Sequence, residues 1–569
     1  MSSHTKKILD YFNRGETENG VVLASTLSDT LLGTIWKIRF YALKNDRDGM
    51  FFGLNSIDPQ DFKERTKLKI EFQLMIILAY TLKGEEEIAF EKLKQLKSDE
   101  IQPEWAYLNG LFNYINGIQN LLQGNLNQAK SFLEKATKYF RQTEFGVLLV
   151  KTLLNLGTVM IYLNEFLKAE RIYDEAIVVS SKYGNEKLKF KSQQYLLSIT
   201  FEKGDIEACL TYDQMIAPRI NSEKVEFQDL VEYCTIIGLC FKMNGQYKKA
   251  LDELGKALEF ARIYRINSAF PHLLSEISII YFELGDLDTA MLNIKEAILL
   301  CDTTNRPEDL FLFETRRRII ENEIKGSTVE DTEWVSRIEE IARRISFRFL
   351  LPETIFQILL IMFYLNIPSL EKKIDEGIEV FRTRFGNSIP TLQIKLEILE
   401  MYSYLNKILN HGTMEFNFLD DKTNVLQYSD KRLMKLAIVL QIQIRLLEYK
   451  LEATNDLETR LKKLIEELLS IAEKDRSIQF KISSKILSSK VFWLFRDVPK
   501  SLNLFDEAKD IADEKGMNYQ SQLIEVHKKS MINELKEWKK ISLLLDQQLK
   551  VYEKSDLMAY AKKVSKIIS

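Results

Sequence analysis

The chain has 569 residues, too many for one compact core, so several domains or an extended repeat are expected. Hydrophobic residues make up 46%, which excludes a disordered chain, and only 9 prolines and 22 glycines exclude the turn-dense all-β classes. With 79 Lys and Arg against 82 Asp and Glu the net charge is −3, so the chain lacks the basic footprint of nucleic-acid binding and no nucleic-acid partner is expected.

The start, "MSSHTKKILDYFNRGETENG", has no apolar signal segment, and "RGETENG" (Arg14 to Gly20) reads as a turn. "LLGTIWKIRFYALKNDRDGMFFGLNSID" predicts a helix, a turn and a short second helix, with Met50 in a small slot and Leu54 in a bulky one. From about residue 70 a period of forty takes over. Small residues recur at Ala89, Ala129, Ala169, Cys209, Ala250 and Ala290. Five residues before each stands a turn residue: Gly84, Gly124, Asn164, Gly204, Gly245, Gly285. Seven residues after the small slot come Leu96, Ala136, Ala176, Ile216, Ala257 and Ala297. In the preceding helix a slot reads Ile77, Gly117, Gly157, Leu197, Gly238 and Ser278.

Each column has a physical reason. Glycine, or asparagine, supplies the left-handed residue that ends a helix and turns the chain back. Where the two antiparallel helices approach most closely a large side chain would hold them apart, so Gly117, Gly157 and Gly238 face Ala129, Ala169 and Ala250. Bulky residues such as Leu156, Phe166, Tyr173, Phe241, Tyr247 and Leu254 fill the spaces between. "GDIEACLTYDQMIAP" around Cys209 is the weakest copy.

Beyond residue 305 the period blurs. "IFQILLIMFYLNI" from Ile355 is apolar for only 13 residues between Pro352 and Pro368, which predicts a buried core helix and no membrane insertion. Leu370, Ile374 and Gly377 keep the repeat phase, and Ser501, Phe505 and Ala508 form a degenerate copy near the end. Asn410 to Arg432 has no helical period and reads as a loop. The last helices, from Ile532 to Val564, alternate charges as an end cap should. The expected divisions are 1–69 (degenerate repeats), 70–305 (repeat array), 306–409 (degenerate helix pairs), 410–432 (loop) and 433–569 (degenerate repeats and capping helices).

Catalytic constellations are missing from the sequence. His4, His272, His411 and His527 stand apart from cysteines, acidic pairs and one another, and no phosphate-loop, dinucleotide, zincin or nucleophile-elbow motif occurs. Cys234 and Cys240 sit on different faces of one helix, which points to core packing and not to metal. Only four cysteines, none in a CxxC pair, suit a reduced, cytoplasmic compartment. Arg316, Arg317 and Arg318, flanked by Glu314, Glu321 and Glu323, read as a solvated face with helix ion pairs. The residues thus predict neither an enzyme nor a cofactor.

"NLGTVMIYLNEFLKAERIYDEAI" (Asn155 to Ile177), "IIGLCFKMNGQYKKALDELGKAL" (Ile236 to Leu258) and "EISIIYFELGDLDTAMLNIKEAI" (Glu276 to Ile298) resemble the tetratricopeptide repeat, TPR. That family's period is about 34. The longer one here is similar to the forty-residue variants of microbial regulators and motor adaptors. The resemblance implies an all-α fold: a right-handed α-solenoid, or superhelix, of antiparallel helix pairs, regular in the first half and degenerate in the second. It also implies a concave face lined by the first helix of each pair. Carried over residue by residue, that face takes Leu74, Leu78, Tyr114, Ile118, Leu121, Leu122 and Leu154. Further along it takes Ile161, Tyr162, Leu239, Met243, Ile279 and Phe282, with Lys151, Thr158, Lys191, Gln194 and Thr235 as polar members. The places of the family's chaperone carboxylate clamp hold Leu74, Tyr114 and Leu154, with Leu78, Ile118 and Thr158 one turn on. They lack the cations and amides of a clamp, so chaperone binding is not implied. The function expected is a non-enzymatic scaffold or adaptor binding peptide or helical segments. The alternative is a peptide- or signal-sensing regulator of the microbial type without an appended output domain. Self-association through terminal helices is a third reading.

Overall fold

The computed structural model describes residues 2–62, 65–96, 101–220, 225–301, 306–325, 332–386, 389–411, 431–451, 453–538 and 561. Among these the regular structure is entirely helical, as the sequence predicts. The chain falls into two compact units, Met1–Ile199 with Ala217–Asp229, and Thr200–Ile216 with Leu230–Ser569.

The first unit holds α1 (Ser3–Arg14), α2 (Thr17–Ser25), α3 (Thr30–Leu43), α4 (Arg47–Asn55), α5 (Thr66–Lys83) and α6 (Glu86–Gln95). It continues with α7 (Ala106–Leu122), α8 (Leu126–Phe140), α9 (Gly146–Tyr162), α10 (Phe166–Lys182) and most of α11 (Glu186–Glu202). The second holds α12 (Ile206–Ile216), most of α13 (Phe227–Met243), α14 (Tyr247–Ile263), α15 (Phe270–Glu283), α16 (Leu287–Cys301), α17 (Pro307–Lys325) and α18 (Thr332–Arg344). It continues with α19 (Pro352–Leu365), α20 (Glu371–Phe385), α21 (Pro390–His411), α22 (Lys431–Leu451), α23 (Asn455–Lys474), α24 (Ile478–Leu494), α25 (Val498–Glu514) and α26 (Asn518–Trp538). Turns of a few residues join α7 to α8, α9 to α10, α15 to α16 and α24 to α25, and each of these helices packs on its partner. So short a turn makes the two antiparallel.

The turn column adopts the left-handed backbone throughout: Gly84, Gly124, Asn164, Gly204, Gly245 and Gly285 have φ between 62° and 85°. The small slots Ala89, Ala129, Ala169, Cys209, Ala250 and Ala290 are wholly buried, as are Ala136, Ala176, Ala257 and Ala297. A Cβ added to Gly117 would come within 2.6 Å of Leu133, and one on Gly238 within 2.7 Å of Leu254. One on Gly157 would enter the ring of Tyr173. Each glycine therefore makes room for the bulky residue one turn past the small slot.

Where the slot holds serine, the hydroxyl bonds to the backbone it faces. Ser278 Oγ donates to the carbonyl of Ala290 at 2.7 Å, and Ser489 Oγ donates to that of Ser501 at 2.7 Å. Both span twelve residues, the spacing of Gly117 to Ala129. The repeat contact thus recurs at Ser501, where the sequence pattern is degenerate; Phe505 and Ala508 are wholly buried beside it.

One expectation changes, and two fall outside the described residues. Only Gly15 and Glu16 of the segment Arg14 to Gly20 form a turn: Gly15 ends α1 at φ 75°, and α2 begins at Thr17. Gly20 lies inside that helix because a Cβ there would overlap the ring of Phe40, so it serves packing and not turning. The expected loop 410–432 lies outside the described residues except at its ends, which belong to α21 and α22. The expected capping helices beyond Trp538 lie outside them too, apart from Ala561.

Glycine substitutions separate the two roles. Gly157→Ala forces a methyl into Tyr173 and should lower stability by about 1–3 kcal/mol. Gly255→Ala, in the middle of α14 with nothing near its Cβ, should raise it by about 0.5–1 kcal/mol. Denaturant titration of the two variants beside wild type measures both signs.

Candidate functional site

Each unit has an open cavity built on the first helices of its pairs. In the first unit it is a cleft open to solvent. Its apolar wall comes from Met75, Leu78 and Leu82 of α5, Leu111, Tyr114 and Ile118 of α7, and Leu148 of α9. In the second unit the cavity is likewise open to solvent. Met243 of α13, Ile279 and Phe282 of α15, Ile319 of α17, Ile361 of α19 and Phe480 of α24 form its apolar wall. A second helix packs against its own first helix, which leaves the far side of the first helix as the free face.

Polar side chains on these helices meet at about one period. In the first unit Arg39 binds Glu71 through Nε at 2.6 Å and Nη2 at 2.8 Å, and Tyr107 donates to Glu71 at 2.7 Å. The Arg39 guanidinium lies 4.1 Å from the Trp36 ring centre and 5.0 Å from that of Tyr107, so a charge only 7% exposed is both paired and caged by aromatic faces. Lys151 points its ammonium at the last carbonyls of α3, Leu43 at 2.9 Å and Ala42 at 3.4 Å. Burial pushes its pKa down to about 8; Glu226 opposes that shift and Lys191 adds to it. The negative end of the α3 dipole is what holds this cation.

The second cavity carries a longer polar chain. Lys242 and Arg316 share Glu276, Arg316 at 2.9 Å. Arg316 also donates to Ser275 at 2.6 Å and to Gln357 at 3.4 Å, and Gln357 donates to Glu353 at 2.8 Å. Glu353 in turn holds Lys395 at 2.7 Å and Arg432 at 2.8 Å. Lys435 pairs with Asp475. Glu283 accepts from the Ser477 hydroxyl, which also caps α24 by accepting from Phe480 N at 2.9 Å. Burial works against the charge on Glu276, but Arg316 and Lys242 outweigh it and hold its pKa down to about 2. Glu283 goes the other way: burial raises it to about 7 against the opposing bond from Ser477.

Of the residues placed on the groove by family resemblance, Leu78, Tyr114, Ile118 and Lys151 line the first cavity, and Met243, Ile279 and Phe282 line the second. Leu74 and Leu154 instead lie in the core at 0% and 5% exposure. Leu121, Ile161 and Leu239 are half-buried, and Leu122 and Tyr162 face solvent; none of the five lines either cavity. Thr158 donates to Leu154 O, Thr235 donates to Val231 O, Lys191 pairs with Asp229, and Gln194 is buried.

The expected solvated arginine face is corrected in part. Arg317 and Arg318 make the helix ion pairs with Glu321, but Arg316 is buried and turned into the cavity. The sequence carried a signal for this: Glu276, Arg316 and Gln357 stand 40 and 41 residues apart, in one column of the repeat. His272 bonds Asp309 at 3.0 Å, and all four cysteines are buried thiols. Among the described residues no group of His, Cys, Asp and Glu could hold a metal, and no helix is long and apolar enough to cross a membrane.

The two carboxylates give opposite pH signatures. Glu276, depressed from 4.5, contributes stability above 4.5 that is lost as pH falls toward 2. Glu283, raised from 4.5, retains its proton when the unfolded chain has lost it, so stability falls as pH rises from 4.5 to 7. Glu283→Gln should match wild type near pH 5 and exceed it by about 1–3 kcal/mol at pH 8, measured by denaturant titration at both pH values.

No family model matches the chain, and no curated protein matches it. Among solved structures, the apo form of RapI is similar at 13% identity, covering 63% of this chain and all of its own, with a TM-score of 0.47. The apo quorum sensor NprR from B. thuringiensis is similar at 13% identity, covering 63% of this chain and 98% of its own, with a TM-score of 0.46. A Rap protein complexed with competence and sporulation factor is similar at 15% identity, covering 62% of this chain and all of its own, at 0.42. At TM-scores below 0.5 these are likenesses only.

Proposed function

We propose that the chain is a TPR-type helical repeat protein of forty-residue period, acting as a non-enzymatic scaffold that binds peptide or helical segments. One observation carries the reading: in each unit the cavity wall comes from the first helices, with apolar side chains and a few convergent polar groups. Clefts with this lining take up side chains of a ligand. Helical pairs stacked by a fixed contact present such faces as a rigid array, which suits recognition of a segment by spaced anchors. The repeated slots are occupied by packing residues, and the polar groups on the free face are held by one another, so binding and not chemistry is what these faces offer. Four buried cysteine thiols agree with a reduced cytoplasmic setting.

Selection from a displayed random peptide library on the purified full-length chain tests this. Enriched peptides should bind in solution. Those seated on the first cavity should lose at least about tenfold in affinity with Ile118→Glu, since about 1.4 kcal/mol of lost apolar contact is tenfold. Absence of enrichment, or enriched peptides indifferent to both Ile118→Glu and Ile319→Glu in folded variants, would overturn the reading.

A further inference from the structure

The wall of the second cavity carries more positive than negative charge. Lys242 and Arg316 share the single carboxylate of Glu276, and the other contacts of Arg316 are to neutral groups, Ser275 and Gln357. Lys435 is matched by Asp475 and Arg432 is engaged with Glu353, so neither adds to the argument. Lys431 lines the cavity from its exposed end. The remaining acid on the wall, Glu283, is held by the Ser477 hydroxyl, and burial raises its pKa to about 7, so near neutrality it carries only part of its charge.

We propose that this cavity receives the carboxylate of an acidic peptide, with Lys242, Arg316 and Lys431 as the recognising cations and Phe282 and Ile319 gripping an adjacent apolar side chain. The proposal rests on the peptide-binding reading and names the chemistry at one site of it. Donors are available: Arg316 Nη2 makes only a 3.4 Å contact to Gln357, and the Lys242 ammonium has three N–H groups with Glu276 as one partner. A surplus cation in a partly buried wall is poorly compensated, and an incoming anion relieves it. The apolar wall favours an anion carried on a molecule with an apolar part over a bare ion. In the first unit, the three positions of the family's chaperone clamp hold Leu74, Tyr114 and Leu154 and supply none of these cations.

The test uses the immobilised full-length chain and three nonapeptide pools of matched apolar content, carrying Asp and Glu, Asn and Gln, or Lys. The acidic pool should be retained at least about tenfold more than the amide pool, with the preference falling as salt rises. Lys242→Gln should cut that preference to a few-fold. Lys431→Gln, at an exposed position that leaves packing intact, should reduce it as well, and Lys138→Gln, which removes a cation from the exposed face of α8, should leave it unchanged. Equal retention of acidic and amide pools would overturn the inference while leaving peptide binding standing. Failure of every pool to bind would overturn both. Displacement of the acidic pool by millimolar acetate or inorganic phosphate alone would mark an ion site and overturn the peptide assignment.

Discussion

The structure depends on a contact between a residue of a first helix and the residue twelve positions later, at the start of the second. Seven residues carry the chain from the slot to a left-handed turn residue, and five more bring it back, so the turn sets which two positions meet. Gly117, Gly124 and Ala129 make one such set; Ser489, Arg496 and Ser501 make another, with Arg496 at φ 63°. At both ends of that span the backbone must come close, and the volume given up there is taken by Leu133, Tyr173 or Leu254 one turn on. Where the slot is bulky the space is found elsewhere. Ile38 is accommodated by Gly53 of α4, whose Cβ would lie 2.7 Å from it, and Leu359 by Gly377 of α20 at 2.6 Å. The contact is conserved as geometry while the glycine moves.

That explains how far the fold was legible. Between residues 70 and 300 the slot holds glycine or serine in four of six units, and with the other three columns in phase it reveals helix pairs directly. In α3–α4 and α19–α20 the close glycine lies on the second helix, at Gly53 and Gly377, so the phase is read there from fewer residues although the packing is kept. Gly20 misled for the opposite reason: a glycine beside polar residues reads as a turn, while its lack of a Cβ is used by Phe40.

The cavities were legible only in part, for two physical reasons. A residue misplaced by one on a helix rotates by about 100°, enough to take Leu122 and Tyr162 from a groove to solvent or Leu74 into the core. The buried charges were hidden because ion pairing was judged within a helix, at three or four residues. For Arg316 the deciding partners lie on neighbouring first helices: Glu276 forty residues back and Gln357 forty-one ahead. Read along a single helix, "ETRRRIIENE" is a solvated face; read across the period, its first arginine is interior.

First helices that lie side by side make a ladder in which each polar residue has a neighbour before it and another after it. A carboxylate on the middle rung is then bracketed by two cations, as Glu276 of α15 is by Lys242 of α13 and Arg316 of α17. Three members of alternating sign cannot sum to zero, so the surplus follows from the arrangement itself. The first unit avoids it because the third member beside Arg39 and Glu71 is the neutral hydroxyl of Tyr107, and its remaining cation, Lys151, is spent on helix carbonyls. Identical backbone geometry therefore yields two walls of different character. One is apolar with its charge turned inward, and the other keeps cations available to what enters. Discrimination between ligands on such a scaffold comes from which chemical type occupies the third rung, a change of one side chain that leaves the helix contact twelve residues apart untouched.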